Sequence, residues 1–171
     1  GLPLSYSQGF TPHPKLAFAS PLPLGFVGEA ELVDVTLDER VDPAHFREVI
    51  AGQTSNDLAL VGIEEIPVTS PSPQAAMLWA EYRFDLAAVD VATARAWVDQ
   101  FMALESLEWI DERKDKTRVY DLRAVVGSIA VSAAPEGTRL LMMLRADAGM
   151  TGRPEQVAAA IFPGVITGVI A

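Results

Sequence analysis

Between Leu4 and Pro23 the chain reads LSYSQGFTPHPKLAFASPLP, and its prolines at 12, 14, 21 and 23 exclude a regular helix across the stretch. Pro12 and Pro14 fix their own φ and push Thr11 and His13 toward extended backbone, while Gly9 permits a turn that other residues find strained. His13 is therefore expected in a rigid extended frame. Tyr6, Ser7, Gln8, Phe10, His13 and Lys15 set hydrogen-bonding groups, two aromatic rings and a cation into that frame. Rigid, polar, irregular backbone is common in binding loops, so these six residues are candidate binding residues. The competing role is structural: Tyr6 and Phe10 would plug a core while His13 and Lys15 lie at the surface.

At 171 residues and 50% hydrophobic content the chain suffices for one ordinary domain or two small ones with a real core. There is no cysteine, which excludes disulfides and thiolate metal sites and is compatible with a reducing compartment. The apolar runs are short and broken, and the opening residues lack the regions of a secretory signal. These features lead to the expectation of a soluble cytoplasmic protein with no membrane contact. A net charge of −10 opposes diffuse attraction to a polyphosphate backbone. Five of the thirteen cations nevertheless fall between residues 113 and 123, as Arg113, Lys114, Lys116, Arg118 and Arg123. On a strand edge the period of two sets Lys114, Lys116 and Arg118 on one side with Tyr120. Lys114, Lys116, Arg118 and Arg123 are thus a candidate anion or RNA patch, although lysines on an edge also serve to block aggregation.

Read in order, Leu16 to Ala19 is a short extended run, and Gly28 to Asp38 is strand-like with a change of phase. A bulge near Leu32 and Val33 would explain the change and bring Glu31 and Asp34 to one face, making them further candidate binding residues. Asp42 and Pro43 open a short helix carrying Phe46, Val49 and Ile50, which Gly52 stops. Leu58 to Val68 is expected as a strand. The TSPSP run at 69–73 is the best linker, giving two halves, 1–70 and 71–171.

In the second half, Tyr82, Phe84 and Leu86 alternate with Glu81, Arg83 and Asp85 as a half-buried strand. Asp90 caps a helix with Ala94, Trp97, Val98 and Phe101 on one stripe. Leu107 to Ile110 and then Arg118 to Ser132, interrupted at Gly127, are expected as strands. Pro135 to Gly137 make a hairpin turn into a strand through Leu144. Pro154 opens a last helix, and Val165 to Ile170 can add a closing strand. The expected class is α+β: two ferredoxin-like halves of the βαββαβ type, with antiparallel sheets and helices packed on one face.

The run LPLSYSQGFTPHPKLAFASPLPLG followed by EAELVDVTL resembles the opening of the radical SAM-linked protein family, a bacterial domain of unknown function found beside, or fused to, a radical SAM protein. Weaker similarity continues through AEYRF, KTRVYDLR and GRPEQV. Members of that family begin with a strand and a helix ahead of the polar run. The resemblance therefore implies that the first half lacks an N-terminal strand and helix. It also implies an association with a radical SAM protein, and no catalytic residues.

A radical SAM enzyme holds its iron–sulfur cluster with cysteine thiolates, so a chain without cysteine is not itself that enzyme. No phosphate-binding glycine loop, nucleophile elbow or paired-histidine zinc motif is present, and His13 and His45 are the only histidines. No cofactor or metal site is expected. Two function classes remain: a non-catalytic accessory or substrate-binding partner of a radical SAM enzyme, and an RNA-binding module of an RNA-modification system using the 113–123 patch. Charge reversal at Lys114 and Lys116 checks the second, with lower RNA affinity and a shallower salt dependence as the expected result.

Overall fold

The alternation of Tyr82, Phe84 and Leu86 with charged neighbours produces a nine-residue strand that opens the second of two units. The structure is a computed structural model that describes residues 1–22, 25–55, 58–87, 89–113, 116–147 and 149–164, with the backbone alone at Arg113 and Lys116. The chain divides into Gly1–Ala76 and Met77–Ala171. Antiparallel sheets combined with helices give the α+β class.

The first unit contains β1 (Leu16–Phe18), β2 (Val33–Val35), α1 (Pro43–Ala51) and α2 (Pro73–Ala76). Asp42 caps α1, its Oδ1 accepting the N–H groups of Ala44 at 2.8 Å and His45 at 3.4 Å, and Pro43 loses no bond because first-turn donors have no helical acceptor. Phe46, Val49 and Ile50 are half-buried, yet no residue of α1 is fully buried, so the packed helix expected here is only partly covered. Two further expectations are corrected. The strand expected over Gly28 to Asp38 shrinks to β2, which pairs with β1 without a register shift, so no bulge forms there. Leu58 to Val68 forms no strand among its described residues, because Gly62 offers no side chain to pack and Pro67 no ladder donor.

The second unit contains β3 (Trp79–Ala87), α3 (Val91–Met102), β4 (Glu108–Arg113), β5 (Lys116–Asp121), β6 (Val126–Ala134), β7 (Gly137–Arg145) and α4 (Pro154–Ile161). β3, β7 and β6 form one antiparallel sheet in that order, and β4 and β5 a separate ribbon. Tyr82, Phe84 and Leu86 face the same side as Leu140, Met142 and Leu144, where Ala94, Val98 and Phe101 of α3 and Val157 and Ile161 of α4 complete the core. Trp97 is half-buried against this core and packs on Phe162 with ring centroids 5.5 Å apart. Both long helices thus cover one face of the sheet. The other face carries Glu81, Arg83 and Asp85 beside Arg139, Leu141 and Met143.

The break expected at Gly127 lies earlier. Asp121 Oδ1 accepts the N–H groups of Leu107 and Arg123, both at 2.9 Å, and so holds a short 3-10 turn, Arg123–Val125, between β5 and β6. Gly127 marks the register shift that follows. The closing strand expected at 165–170 lies outside the described residues. Among the described residues the sheets have three, two and two strands.

Gly137 ends the β6–β7 turn with φ +143°, and a Cβ there would stand 2.2 Å from the Leu86 carbonyl oxygen. Gly137→Ala is accordingly expected to cost about 1–3 kcal/mol, read as a lower urea midpoint at unchanged slope. A second prediction concerns acid. The Arg139 guanidinium hydrogen-bonded to Asp85, the Thr93 hydroxyl on Asp90, the Leu107 N–H on Asp121 and the Arg145 guanidinium on Asp147 hold these carboxyls below their ordinary values. Because the folded pKa lies below the unfolded one, near 3.9, the stability they supply is complete above that value and is lost as pH falls through the lowered folded values. Urea midpoints of the second unit should therefore drop progressively below about pH 4. A midpoint unchanged between pH 4 and pH 2 contradicts this.

Candidate functional site

The Tyr6–Lys15 run folds as a narrow hairpin. The Ser7 N–H donates to the His13 carbonyl and the Lys15 N–H to the Ser5 carbonyl, both at 2.8 Å, with Tyr6 and Pro14 facing each other across the stem. The pairing uses the donors of Ser7 and Lys15, so the N–H that Pro14 lacks is never required. His13 adds one more bond, its backbone N–H donating to Ser7 Oγ at 3.0 Å. Gly9 lies in the tip with φ +142°, a conformation that side chains rarely adopt.

The base of the hairpin is anchored from the other side. The Ser5 N–H donates to the Thr36 carbonyl at 2.9 Å, the Thr36 N–H to the Lys15 carbonyl at 3.1 Å, and the Asp38 N–H to the Pro3 carbonyl at 2.9 Å. Ser5 is buried there. The tip is not. Phe10 has relative exposure of 109%, and Tyr6, Gln8, His13 and Lys15 are exposed, with Ser7 half-buried. Neither aromatic is a core plug, which removes the structural role considered for them. The hairpin ladder ends at Ser7 and His13, so Gln8 to Pro12 lie beyond its last backbone pair.

Beside the stem an open depression of about 490 Å³ is lined by Tyr6, Ser7, Gln8, Pro12 and Lys15 together with Asp38. Phenol, hydroxyl, amide, ammonium and carboxylate groups thus border one space. Asp38 was not legible as a site residue, since pairings between residues far apart in sequence, Pro3 with Asp38 and Ser5 with Thr36, bring it to the hairpin. The arrangement suits holding a polar group. Ser7 Oγ is occupied by the His13 backbone N–H, an arrangement that fixes the stem and aligns no nucleophile with a base.

The other candidates are dispersed. Asp34 sits in β2 opposite Ala17, half-buried, and Glu31 precedes the strand as an exposed residue, so the pairing does not bring the two to one strand face. Lys114 lies outside the described residues, and Lys116 is placed by its backbone at the start of β5, opposite Arg113. Arg118 pairs in register with Asp111 and carries its guanidinium carbon 5.5 Å from the Tyr120 ring centroid. Tyr120 itself donates its hydroxyl to Gln156. Arg123 donates to the carbonyls of Val126 at 2.9 Å and Met102 at 3.4 Å, which ties it into the turn after β5. Among the described residues no group of three or more His, Asp or Glu is placed to hold a metal ion. No helix among them is long and apolar enough to cross a membrane.

These placements make the hairpin separable from stability. His13→Ala should move the urea midpoint by no more than about 0.5 kcal/mol equivalent, because the ring is exposed, while Ser7→Ala removes a stem hydrogen bond worth about 0.5–1.5 kcal/mol. The check is the amide signals of residues 5–15, which should shift for Ser7→Ala and hold for His13→Ala outside the substituted residue's neighbours.

No curated protein and no solved structure matches the chain. The profile of a family described as "Uncharacterized protein conserved in bacteria (DUF2344)" matches residues 1–154, a span that contains the hairpin, both ribbons and the three-stranded sheet. The chain therefore belongs to the bacterial DUF2344 family.

Proposed function

We propose that this chain is a non-catalytic accessory or substrate-binding partner of a radical SAM enzyme, acting in the bacterial cytoplasm through the Tyr6–Lys15 hairpin. One observation carries the reading: a stem fixed by backbone hydrogen bonds holds Phe10, Gln8 and His13 out in solvent. A side chain as large as Phe held out on a restrained tip loses little further entropy on binding, and so suits recognition of a partner or substrate. The resemblance of this same run to the radical SAM-linked family supplies the partner. Because these 171 residues contain no cysteine, the thiolates that hold the cluster lie outside them in this reading.

The two-half organisation, residues 1–70 and 71–171 on ferredoxin-like plans, belongs to the same proposal. In the second half it is supported by the helix between β3 and the later strands, by the β6–β7 hairpin followed by α4, and by the sheet order β3-β7-β6. The β4–β5 ribbon is then an insertion.

The tagged chain, co-expressed with a bacterial radical SAM protein, should retain that protein through nuclease treatment, and Phe10→Ala or Gln8→Ala should lower the affinity at least tenfold. Absence of a complex overturns the proposal. The RNA alternative, through Lys114, Lys116, Arg118 and Arg123, predicts instead a nuclease-sensitive, steeply salt-dependent interaction.

A further inference from the structure

The face of the β3-β7-β6 sheet that turns away from α3 and α4 is ordered in rows. The register sets Glu81, Met143 and Ser128 side by side in one row, and Arg83, Leu141 and Ala130 in the next. These rows lie about 6.8 Å apart, because residues on one face are two apart along a strand. Leu141 and Met143 are 38% and 36% exposed at the centre, and Glu81, Arg83, Ser128 and Ala130 are exposed around them. At the end of the face beyond Glu81, a Cβ on Gly127 would meet Trp79 Cζ3 at 2.9 Å, so the indole lies down along the sheet. At the other end Arg139 closes on Asp85 through two bonds of 2.7 Å. The face is therefore level enough for a second sheet to stack on it at about 10 Å.

The order of charges along the rows selects the occupant. Glu81 and Asp85 balance Arg83 and Arg139, so the face favours neither a polyanion nor a strongly basic surface. Its two central rows instead complement each other. A two-fold axis running across the strands between them lays Glu81 on Arg83 and Met143 on Leu141, each twice, with the small Ser128 and Ala130 meeting beside them. Such self-complementarity is what an isologous interface requires. Residues 77–171 hold ten cations against thirteen carboxylates, so the unit that carries the face has −3 of the chain's −10 and little repulsion of its own opposes pairing. We propose that the chain pairs with a second copy through this face, each strand lying over its own counterpart in the opposite direction, with Glu81–Arg83 ion pairs beside a Leu141–Met143 contact. Three strands about 4.8 Å apart and four such rows present roughly 400 Å² per copy, a size that gives a dimer dissociating on dilution.

The surface is not the hairpin, so its test is independent of the accessory-partner reading. Sedimentation of the 171-residue chain from micromolar to millimolar concentration should show a reversible monomer–dimer equilibrium. In the isotopically labelled chain, the amide signals of residues 81–83, 128–130 and 141–143 should move over the same range. Glu81→Arg and Arg83→Glu should each weaken the dimer at least tenfold, because each sets like charges face to face, while keeping the parent's urea midpoint in dilute solution. Combined in one chain, the two substitutions exchange the signs and preserve the complementarity, so the double variant should recover the parental affinity to within about threefold. A chain that stays monomeric throughout, or a dimer whose signals shift elsewhere, overturns the proposal. A double variant that pairs no better than either single one overturns it too, because it removes the two-fold register on which the choice of a second copy rests.

Discussion

The second unit depends on the period of two in β7, which turns Thr138, Leu140, Met142 and Leu144 to one side of a central strand and buries all four completely. β3 and β6 pair with β7 on either edge, so their inward side chains are aligned with that same row. α3 and α4 have amphipathic spacing because they meet this row, and burying each large apolar side chain contributes roughly 1.5–3 kcal/mol. The single buried hydroxyl of the row, Thr138, donates to the Val89 carbonyl at 2.7 Å and so carries no unpaired polar group into the core.

The first unit is held differently. Its described contacts are chiefly backbone bonds: the stem at Ser5, Ser7, His13 and Lys15, the tie to Thr36, and the short β1–β2 ladder. Each contributes about 0.5–1.5 kcal/mol net, which fixes geometry without supplying a core. The consequence is a unit in which Tyr6, Phe10, Leu16, Phe18 and Val33 are exposed, while Phe46, Val49 and Ile50 of α1 are only half-buried.

Much of the second unit was legible in the sequence because its elements are long and strongly periodic. Asp90 as cap, the Ala94–Phe101 stripe, the turn at Pro135 and the helix at Pro154 each follow from local chemistry. The break between β5 and β6 was misplaced because Gly127 is visible as a residue type, whereas the Asp121 carboxylate that folds the turn acts through space on Leu107. In the first half the hairpin's irregularity was evident from Pro12, Pro14 and Gly9. Its pairing was not, since the bonds from Ser5 to Thr36 and from Asp38 to Pro3 join residues more than thirty apart. Glu31 and Asp34 were paired on the strength of a bulge that the β1–β2 register does not contain. Arg123 was counted with the cationic patch because its charge is local information and its carbonyl acceptors are not.

The central claim is the contrast between a unit built on burial and a unit held mainly by backbone bonds with its apolar groups exposed. Amide hydrogen exchange of the isolated chain tests it most directly, because protection reports local opening free energy residue by residue. The account predicts that amides of β7 and of α3 around Val98 and Phe101 exchange only through global opening of their unit. Those of β1 and β2 should exchange orders of magnitude faster, through local opening. Equal, slow exchange in β1, β2 and β7 would contradict it.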